Sequence, residues 1–545
     1  MKKFAFILTT VFILIYGQSL QVFAAAGLRS EIKTFSKSAE TEPGKTLHIE
    51  AKNTDITIAG TTQNRIVAQA EIEISDLDDD IRKEFFENTS IQLEPTSDGY
   101  TLRVETPNEK LRGTDKGLGR LLRLIFDGST DISISVSLHV SVPEEYSIVL
   151  KNKYGDLKLE NVTGDLNIAN DVGVSDILNA GGSLILRGSY GEMNVSDFAG
   201  TIKLRNRNGD IFAENIAGLS DIATSYKNAR VHNVQGDLLV DAPNSHVKVT
   251  KVAGNCEVTS SYKELEISNI QGELNVRGPN CRLFVNDVGK KTTLENSYKP
   301  IRVENIGGEL EIRASNSEIL AQKIQGNTSI RSSYKMIEIH GIQGDLLVDG
   351  SNCEMQIADV AGNVELISSY KPLMISDVKG GLDIRGSNNE ITARNIGADA
   401  IIRSSYKTID LTKMNGRVEI DGNNCPVLID GATGDVQVRS SYKLIQLFRT
   451  SGSIIVHGSS SRIEISQMDA LPASGRIEIE TSYKPILLEL PHNADASINA
   501  RTTYGKIKSD HPVRILDNDG NEITIKLGNG TIPVSLVSNN DIVIN

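Results

Sequence analysis

The sequence predicts an all-β fold: a single-chain parallel β-solenoid (β-helix) of 18-residue coils, with two short strands per coil and a small N-terminal α+β cap region. Three observations predict it. Tyrosine recurs every 36 residues, asparagine stands midway between the tyrosines, and the aliphatic residues between them alternate with polar ones. A fixed internal period of this kind indicates stacked units that share one continuous core.

The tyrosine spacing sets the longer period. The tyrosines 36 residues apart are Tyr154, Tyr190, Tyr226, Tyr262, Tyr298, Tyr334, Tyr370, Tyr406 and Tyr442. From the third onward each precedes a lysine, at Lys227, Lys263, Lys299, Lys335, Lys371, Lys407 and Lys443. Midway between tyrosines stand Asn208, Asn244, Asn280, Asn316, Asn352, Asn388 and Asn424, which halves the structural period to 18.

The aliphatic residues follow the halved period. Five of them after Tyr334 occupy the same offsets as five after Asn352: Ile337, Ile339, Ile342, Leu346 and Val348, then Met355, Ile357, Val360, Val364 and Leu366. Alternation of apolar and polar residues predicts strands with one buried face. Helical repeats of similar length are excluded, because the apolar spacing is about two rather than 3.6 and the segments are rich in Val, Ile, Thr and Gly.

The domain organisation follows from where this register holds. Residues 147–490 carry the regular repeats, with room for roughly 19 coils. Residues 27–146 are predicted to form a cap that includes the start of the solenoid near 46–58 and a helix near 76–89. Residues 491–545 are predicted to form the C-terminal solenoid end, because the interval from Tyr442 to Tyr483 is longer than the regular period.

The N-terminus predicts export. Lys2 and Lys3 precede an apolar run over 4–16 and a small-residue site that ends at Ala26. This arrangement is typical of a secretory signal peptide, here 1–24, and the run is shorter than a membrane span of about 20 residues. A retained anchor is the alternative. The mature chain is expected in the periplasm or at the cell surface, and its acidity, with a formal net charge of −13 before cleavage, argues against nucleic acid as a partner.

A basic segment, 110–125, interrupts the cap region. It combines several basic residues with Leu118, Leu121 and Leu122. A basic amphipathic helix of this kind can contact an acidic membrane surface. Our favoured interpretation is a helix that covers the open end of the sheet stack, which otherwise invites edge pairing.

The column of seven lysines that begins at Lys227 is the candidate binding ridge. One lysine every second coil places the charges about 9.6 Å apart, which would suit an anionic glycan or another surface polymer. An ordinary solvated face is the alternative. The neighbouring tyrosines from Tyr226 to Tyr442 are interpreted as structural: tyrosine fills a corner of the coil, and asparagine tolerates the left-handed turn.

No catalytic, metal or cofactor site is predicted. The histidines do not cluster, and phosphate-loop, nucleophile-elbow and metalloprotease motifs do not occur. Cys281, Cys353 and Cys425 share one offset but lie four coils apart, about 19 Å, beyond disulfide reach, and Cys256 occupies an inward position. A polysaccharide-acting β-helix enzyme remains as an alternative, although the chain has no tryptophan and no local acid cluster.

Several short motifs resemble the bacterial DUF4097 family, an adhesin-like or toastrack β-solenoid related to autotransporter adhesin head domains. They are Val140–Pro143, the Gly-Asp turns at 155–156 and 164–165, and the ending at 527–530 and 538–542. The resemblance implies an extracytoplasmic solenoid with no known catalytic site. We therefore expect a non-catalytic envelope or cell-surface protein that binds a cell-surface polysaccharide or an envelope protein. A purely structural periplasmic scaffold is the alternative.

Overall fold

The computed structural model describes residues 30–75, 79–107, 133–472, 474–515 and 520–545. Within these residues the chain forms a parallel β-solenoid, which confirms the predicted fold class. The predicted signal peptide and the basic segment 110–125 lie outside the described residues. The one described helix, α1 (Asp79–Glu87), has nine residues, and no described helix is long and apolar enough to cross a membrane.

The elements outside the regular array lie at its two ends. At the N-terminal end they are β1 Ser30–Glu40, β2 Thr46–Ala51, β3 Asp55–Thr61, β4 Arg65–Ser75, α1, β5 Ser90–Pro95, β6 Gly99–Glu105 and β7 Ser133–Pro143. At the C-terminal end they are β45 Ala496–Thr502, β46 Ile507–Ser509, β47 Arg514–Ile515, β48 Glu522–Leu527, β49 Ile532–Ser538 and β50 Ile542–Ile544.

The array consists of two facing sheets, which we name sheet A and sheet B. Sheet B contains β8 Ser147–Tyr154, β10 Leu166–Val172, β12 Gly181–Gly188, β15 Ser220–Thr224, β17 Leu238–Pro243, β19 Cys256–Ser261, β21 Leu274–Pro279, β23 Thr292–Ser297, β25 Leu310–Ser315, β27 Thr328–Ser333, β29 Leu346–Ser351, β31 Val364–Ser369, β33 Leu382–Ser387, β35 Ala400–Ser405, β37 Val418–Asn423, β39 Val436–Ser441, β41 Ile454–Ser459 and β43 Ile477–Thr481. Sheet A contains β9 Leu157–Glu160, β11 Ser175–Leu178, β14 Ile211–Ile216, β16 Ala229–Val234, β18 Val247–Val252, β20 Glu264–Ile270, β22 Arg282–Val288, β24 Ile301–Ile306, β26 Ile319–Ile324, β28 Ile337–Ile342, β30 Met355–Val360, β32 Leu373–Val378, β34 Ile391–Ile396, β36 Ile409–Met414, β38 Val427–Ala432, β40 Ile445–Phe448, β42 Ile463–Ser466 and β44 Ile486–Leu488. The long strand β13 Met193–Asn206 contributes to both sheets.

Each coil places one strand in each sheet and pairs in parallel with the coil one period further along the chain. Leu346 is opposite Val364 in sheet B, and Ile337 is opposite Met355 in sheet A. The described part of 147–490 contains nineteen such coils, in agreement with the predicted number. Because equal offsets stack directly, every position of the repeat becomes a column along the rod.

The core lies between the two sheets. The aliphatic residues predicted to face inward are buried in successive coils, for example Ile337 and Ile339 from sheet A with Leu346 and Val348 from sheet B. Polar residues alternate with them and face outward on both sheets. The apolar period of two therefore fixes which face of each strand is buried.

One edge of the rod, which we name the Gly edge, is the column of turns that lead from sheet A to sheet B. At Gly362 a Cβ atom would lie 2.6 Å from the carbonyl carbon of Gly344, so a side chain does not fit between the coils. Where an Asp or Asn residue follows the glycine, it takes part in a ladder of hydrogen bonds between backbone and side chain along the same edge. The backbone N–H of Asn363 donates to Asp345 Oδ1 (2.8 Å), and the N–H of Gly381 donates to Asn363 Oδ1 (2.9 Å). The recurrent Gly-Asp and Gly-Asn pairs thus connect one coil to the next.

The N-terminal coil is not the outermost coil of the stack. Strands β2 and β3 form the predicted first coil, but they lie between the coil of β8 and β9 and an outer coil made of β6 and β7. Antiparallel strands β5 and β4 then pair with β6 and β7, and β1 pairs with β4. The predicted helix is present as α1, whose Phe85 and Phe86 pack with Ile72, Ile74 and Val136.

The C-terminal coil has the same arrangement. Strands β49 and β50 lie between the coil of β43 and β44 and an outer coil made of β45 and β46. Antiparallel β48 pairs with β45, and β47 pairs with β48. At both ends, therefore, antiparallel strands follow the last parallel coil, which limits continued parallel stacking.

Candidate functional site

The edge opposite the Gly edge carries the candidate site. We define the Tyr–Lys edge as eight corner tyrosines and the lysine after each: Tyr226, Tyr262, Tyr298, Tyr334, Tyr370, Tyr406, Tyr442 and Tyr483 with Lys227, Lys263, Lys299, Lys335, Lys371, Lys407, Lys443 and Lys484. All eight tyrosines have left-handed backbone conformations, with φ between 62° and 76°. Their side chains are 58–68% exposed. The prediction that these tyrosines fill the corner is therefore wrong.

The asparagine half of the same prediction is confirmed for six of the seven asparagines, the exception being Asn208. Asn244, Asn280, Asn316, Asn352, Asn388 and Asn424 occupy the corner in the intervening coils with φ between 54° and 62°. Asparagine adopts this conformation more readily than tyrosine does, because its short amide can bond locally. The same turn is thus made by a favourable residue in one coil and by an unfavourable residue in the next.

The interior of the corner is filled by a different residue in each type of coil. In the tyrosine coils the residue two positions before tyrosine points inward: Ser368 Oγ donates to the carbonyl oxygen of Gly350 (3.1 Å), and Ser440 Oγ donates to that of Cys425 (2.8 Å). In the asparagine coils that position is glycine or alanine, and the residue after asparagine is buried instead, as Cys353 is. A Cβ atom on Gly350 would lie 3.3 Å from Cys353 Cβ.

Space for one inward side chain per corner explains the alternation. Where a polar residue at the earlier position, most often serine, fills the interior, the residue after tyrosine must point outward, and it is a lysine. Where glycine or alanine leaves the interior open, the residue after asparagine fills it with a small side chain: Ser245, Cys281, Ser317, Cys353, Asn389 and Cys425. The lysine column and the cysteine column therefore have one steric cause.

The lysines of the Tyr–Lys edge are exposed, and among the described residues none of them forms an ion pair. Some lysines elsewhere are paired: Lys248 Nζ lies 2.7 Å from Glu266 Oε2, and Lys323 Nζ lies 2.5 Å from Glu304 Oε1. In the asparagine coils, Glu354 and Glu390 stand two residues after the corner asparagine, and neither forms an ion pair with these lysines. The edge is therefore a line of exposed lysines that form no ion pair among the described residues, on a chain of net charge −13.

Shallow grooves on sheet B run beside this edge. One has a volume of about 720 Å³ and is lined by Ser261, Ser297 and Ser315 together with prolines and with Arg277, Arg313 and Arg331. A second, of about 590 Å³, lies near Tyr442 and is lined by Asn423, Ser441, Ser459 and Ser482 with Arg439 and His457. Ser261, Ser297 and Ser315 in the first groove and Ser441, Ser459 and Ser482 in the second occupy the position just before the corner residue. Hydroxyl groups, aromatic rings and cations thus lie side by side.

The cysteines are buried and free. Burial raises the pKa of the Cys256 thiol from 9.0 to about 12 and that of Cys425 from 9.0 to about 11. Burial also raises the pKa of Cys281 and of Cys353. These thiols remain protonated at neutral pH, and a protonated thiol is a poor nucleophile. Among the described residues, no group of three or more His, Cys, Asp or Glu side chains is placed to hold a metal ion.

Sequence reasoning missed one member of the edge. Tyr483 follows Tyr442 at more than the regular period, but residues inserted between β42 and β43 account for the excess, since Ile454 pairs with Ile477 across this insertion. Tyr483 and Lys484 therefore continue the column two coils beyond Tyr442. The signal was present: Ser-Tyr-Lys-Pro at 482–485 repeats the motif at 297–300 and 369–372.

Comparisons with known proteins give no family. No family model matches the chain, so the DUF4097 resemblance stays at the level of the motifs, and no curated protein sequence matches either. Two solved structures are similar. One is a proposed cell adhesion protein from Clostridium sporogenes (10% identity, TM-score 0.17, covering 47% of this chain and 99% of that one). The other is a proposed adhesin from Parabacteroides merdae (10% identity, TM-score 0.16, covering 66% and 96%).

Proposed function

We propose that this chain is a non-catalytic protein, exported to the cell envelope or cell surface, that binds an extended anionic surface polymer along its Tyr–Lys edge. The observation that carries the proposal is the strained, exposed tyrosine in every second coil from Tyr226 to Tyr483. A left-handed conformation costs a non-glycine residue about 1–2 kcal/mol, and the asparagine coils make the same turn without a large side chain. The fold therefore does not need the rings, and a strained exposed residue points to a functional role.

The lysines support the same proposal. Each is exposed beside a tyrosine ring, whereas many charged residues of the two faces are paired with one another. Unpaired cations on an acidic protein attract anions to one part of its surface without causing nonspecific binding of anions over the whole protein. A single exposed contact is weak, about 1 kcal/mol or less, so a monomeric anion would bind poorly. Eight equivalent contacts on one polymer act together through effective concentration, and a long polymer would bind well.

Catalysis is not part of the proposal. Within the described residues the cysteine thiols are buried, and acidic residues such as Asp345 and Glu365 form a hydrogen-bond ladder or an ion pair. The grooves beside the Tyr–Lys edge are shallow and lined mainly by serine and arginine, with Glu295 in one groove and Asp421 and Glu480 in the other. Such surfaces suit recognition of a chain that lies along the rod. The predicted export signal would bring the protein to the compartment where surface polymers occur.

Two charge-matched variants test the proposal. The edge variant replaces Lys263, Lys299, Lys335 and Lys371 with glutamine. The control variant replaces Lys251, Lys290, Lys379 and Lys413, four exposed lysines away from the Tyr–Lys edge, with glutamine. Both change the net charge by the same amount. We expect affinity for polyanions on a sensor surface to fall by about tenfold or more in the edge variant only. Equal losses in both variants, or no binding by the parent protein, would contradict the proposal.

Location is tested on intact cells. A membrane-impermeant amine reagent followed by mass spectrometry should modify the lysines of the Tyr–Lys edge, since all are exposed. Labelling of intact cells indicates the cell surface, and labelling only after the outer envelope is opened indicates the periplasm. The second result would favour a scaffold role for the rod.

A further inference from the structure

The two kinds of corner differ in chemistry as well as in packing. A tyrosine coil presents a ring and a cation, while the next coil presents a half-buried asparagine amide and no cation at the same place. A serine or another small polar residue precedes the corner in most coils of both kinds, as at Ser333 and Ser351. The edge therefore alternates between a charged aromatic unit and a neutral amide unit.

This alternation has a fixed spacing. The backbone N–H of Tyr334 donates to the carbonyl oxygen of Ser351 (3.1 Å), and that of Tyr370 donates to Ser387 (3.0 Å). Such bonds hold each corner on the coil that follows. One charged unit therefore recurs every two coils, about 9.6 Å, and the eight units extend over about 67 Å. This repeat is close to the length of two linked sugar rings.

We propose, resting on the function proposed above, that the Tyr–Lys edge is matched in register to a linear glycan in which an acidic sugar alternates with a neutral N-acetylated sugar. The carboxylate of each acidic sugar meets one lysine, and the apolar face of a ring packs on the adjacent tyrosine. The N-acetyl group of the neutral sugar lies at the asparagine coil, where an amide can bond it. Neighbouring serine hydroxyls bond the sugar hydroxyls.

Other polyanions match this edge less well. Polyphosphates, poly-glutamate and nucleic acid carry a charge on every unit, so half or more of their charges would face coils that have no lysine at the corner. Single-stranded nucleic acid also stacks its bases on aromatic rings, but it is favoured by basic grooves, and this protein is acidic overall. The glycan is distinguished from these by its one charge per two units.

A register variant tests the match without changing composition. Exchanging the corner segments 332–335 and 350–353 requires Ser332→Gly, Tyr334→Asn, Lys335→Cys, Gly350→Ser, Asn352→Tyr and Cys353→Lys. The inward and outward residues are exchanged together, so each corner keeps one inward side chain. One tyrosine–lysine pair then moves by one coil, about 4.8 Å, while the net charge is unchanged. A second variant that deletes 334–369 removes two coils, shortens the edge by one unit and keeps the register.

The measurement is binding of length-defined hyaluronan oligosaccharides, with poly-glutamate and single-stranded DNA of equal charge as comparison probes. We expect hyaluronan affinity to rise with each added disaccharide, to fall about tenfold in the register variant, and to stop rising one disaccharide earlier in the deletion variant. Poly-glutamate should not distinguish the register variant from the parent. Circular dichroism and the thermal midpoint establish that both variants are folded.

The alternative outcomes separate the two proposals. If poly-glutamate or DNA binds as tightly as hyaluronan and the register variant behaves like the parent, the register match is overturned, while binding of anionic polymers stands. If no probe binds, or if binding ignores the edge lysines, both proposals fail. If the register variant does not fold, the deletion variant provides the test. The match is overturned if the affinity of the deletion variant for hyaluronan keeps rising up to the same number of disaccharides as in the parent.

Discussion

At both edges of the rod the chain turns from one sheet to the other, but the residues that form the two kinds of turn differ in their chemistry. At the Gly edge the coils are so close that a Cβ atom does not fit, and the Asp and Asn side chains are bonded to the next coil. At the Tyr–Lys edge large side chains project outward, and the lysines there form no ion pair among the described residues. The Gly edge contributes its polar groups to the fold. The Tyr–Lys edge carries groups that the fold does not use, which is why the candidate site lies there.

The largest effect is expected from a substitution that breaks the alternation of inward side chains along the Tyr–Lys edge. Cys353→Lys places a cation at a buried position beside Gly350, and an unpaired buried charge should lower the free energy of unfolding by about 3–5 kcal/mol. The reverse exchange in the next coil, Lys371→Cys, should change it by less than about 0.5 kcal/mol, because that side chain is exposed. Chemical denaturation measures both. Similar effects in the two coils would contradict the one-inward-side-chain rule.

A side chain at the Gly edge should be nearly as damaging. Gly362→Val brings Cβ onto the carbonyl group of Gly344, whose carbon lies 2.6 Å from the Cβ position in the present backbone, and the coils must separate. We expect a loss of about 3 kcal/mol in the free energy of unfolding and a lower soluble yield. Lys371→Val on the opposite edge is the control and should be close to neutral. Equal stability of the two variants would mean that the edges do not differ in packing.

The buried thiols give an intermediate effect. Because burial raises the pKa of Cys425 from 9.0 to about 11, its thiolate fraction at pH 8 falls about a hundredfold, and so should its reaction with a disulfide reagent in the folded protein. Unfolding in urea should restore the ordinary rate. The sign for stability follows: the folded state holds the proton more tightly, so the stabilisation is complete below about pH 9 and is lost as the pH rises toward 11. Fast labelling of the folded protein at pH 8 would contradict the buried geometry.

The smallest expected effect concerns the tyrosine turn. Tyr370→Asn replaces a strained residue with the one that neighbouring coils use, and should raise the free energy of unfolding by about 1 kcal/mol, as chemical denaturation would measure. Asn352→Tyr should lower it by a similar amount. If polymer binding weakens while stability rises, the ring serves binding. A clear loss of stability in Tyr370→Asn would instead mean that the ring packs against the corner.

Residue type predicted the strands better than it predicted the corner. The period of two in residues such as Ile337 and Ile339 has one structural solution, a strand with one face in the core, and the structure confirms it. The corner is different, because a tyrosine at a turn can fill it or project from it. Only the inward residue two positions earlier decides this. The lysine column was found from its spacing, but its lack of ion-pair partners among the described residues depends on which faces the acidic residues occupy.

The sequence by itself determined the solenoid, its 18-residue coil and the number of regular coils, because hydrophobic period and repeat length are local properties that stacking copies unchanged. Only the tertiary structure decided the order of the coils at the two ends. The coil of β2 and β3 lies inside the coil of β6 and β7, which comes later in the chain, and the coil of β49 and β50 lies inside the coil of β45 and β46, which comes earlier. It also decided the continuation of the edge to Tyr483 past an insertion. The physical reason is that pairing between distant segments depends on which strand edges are left unpaired, and no local spacing records that.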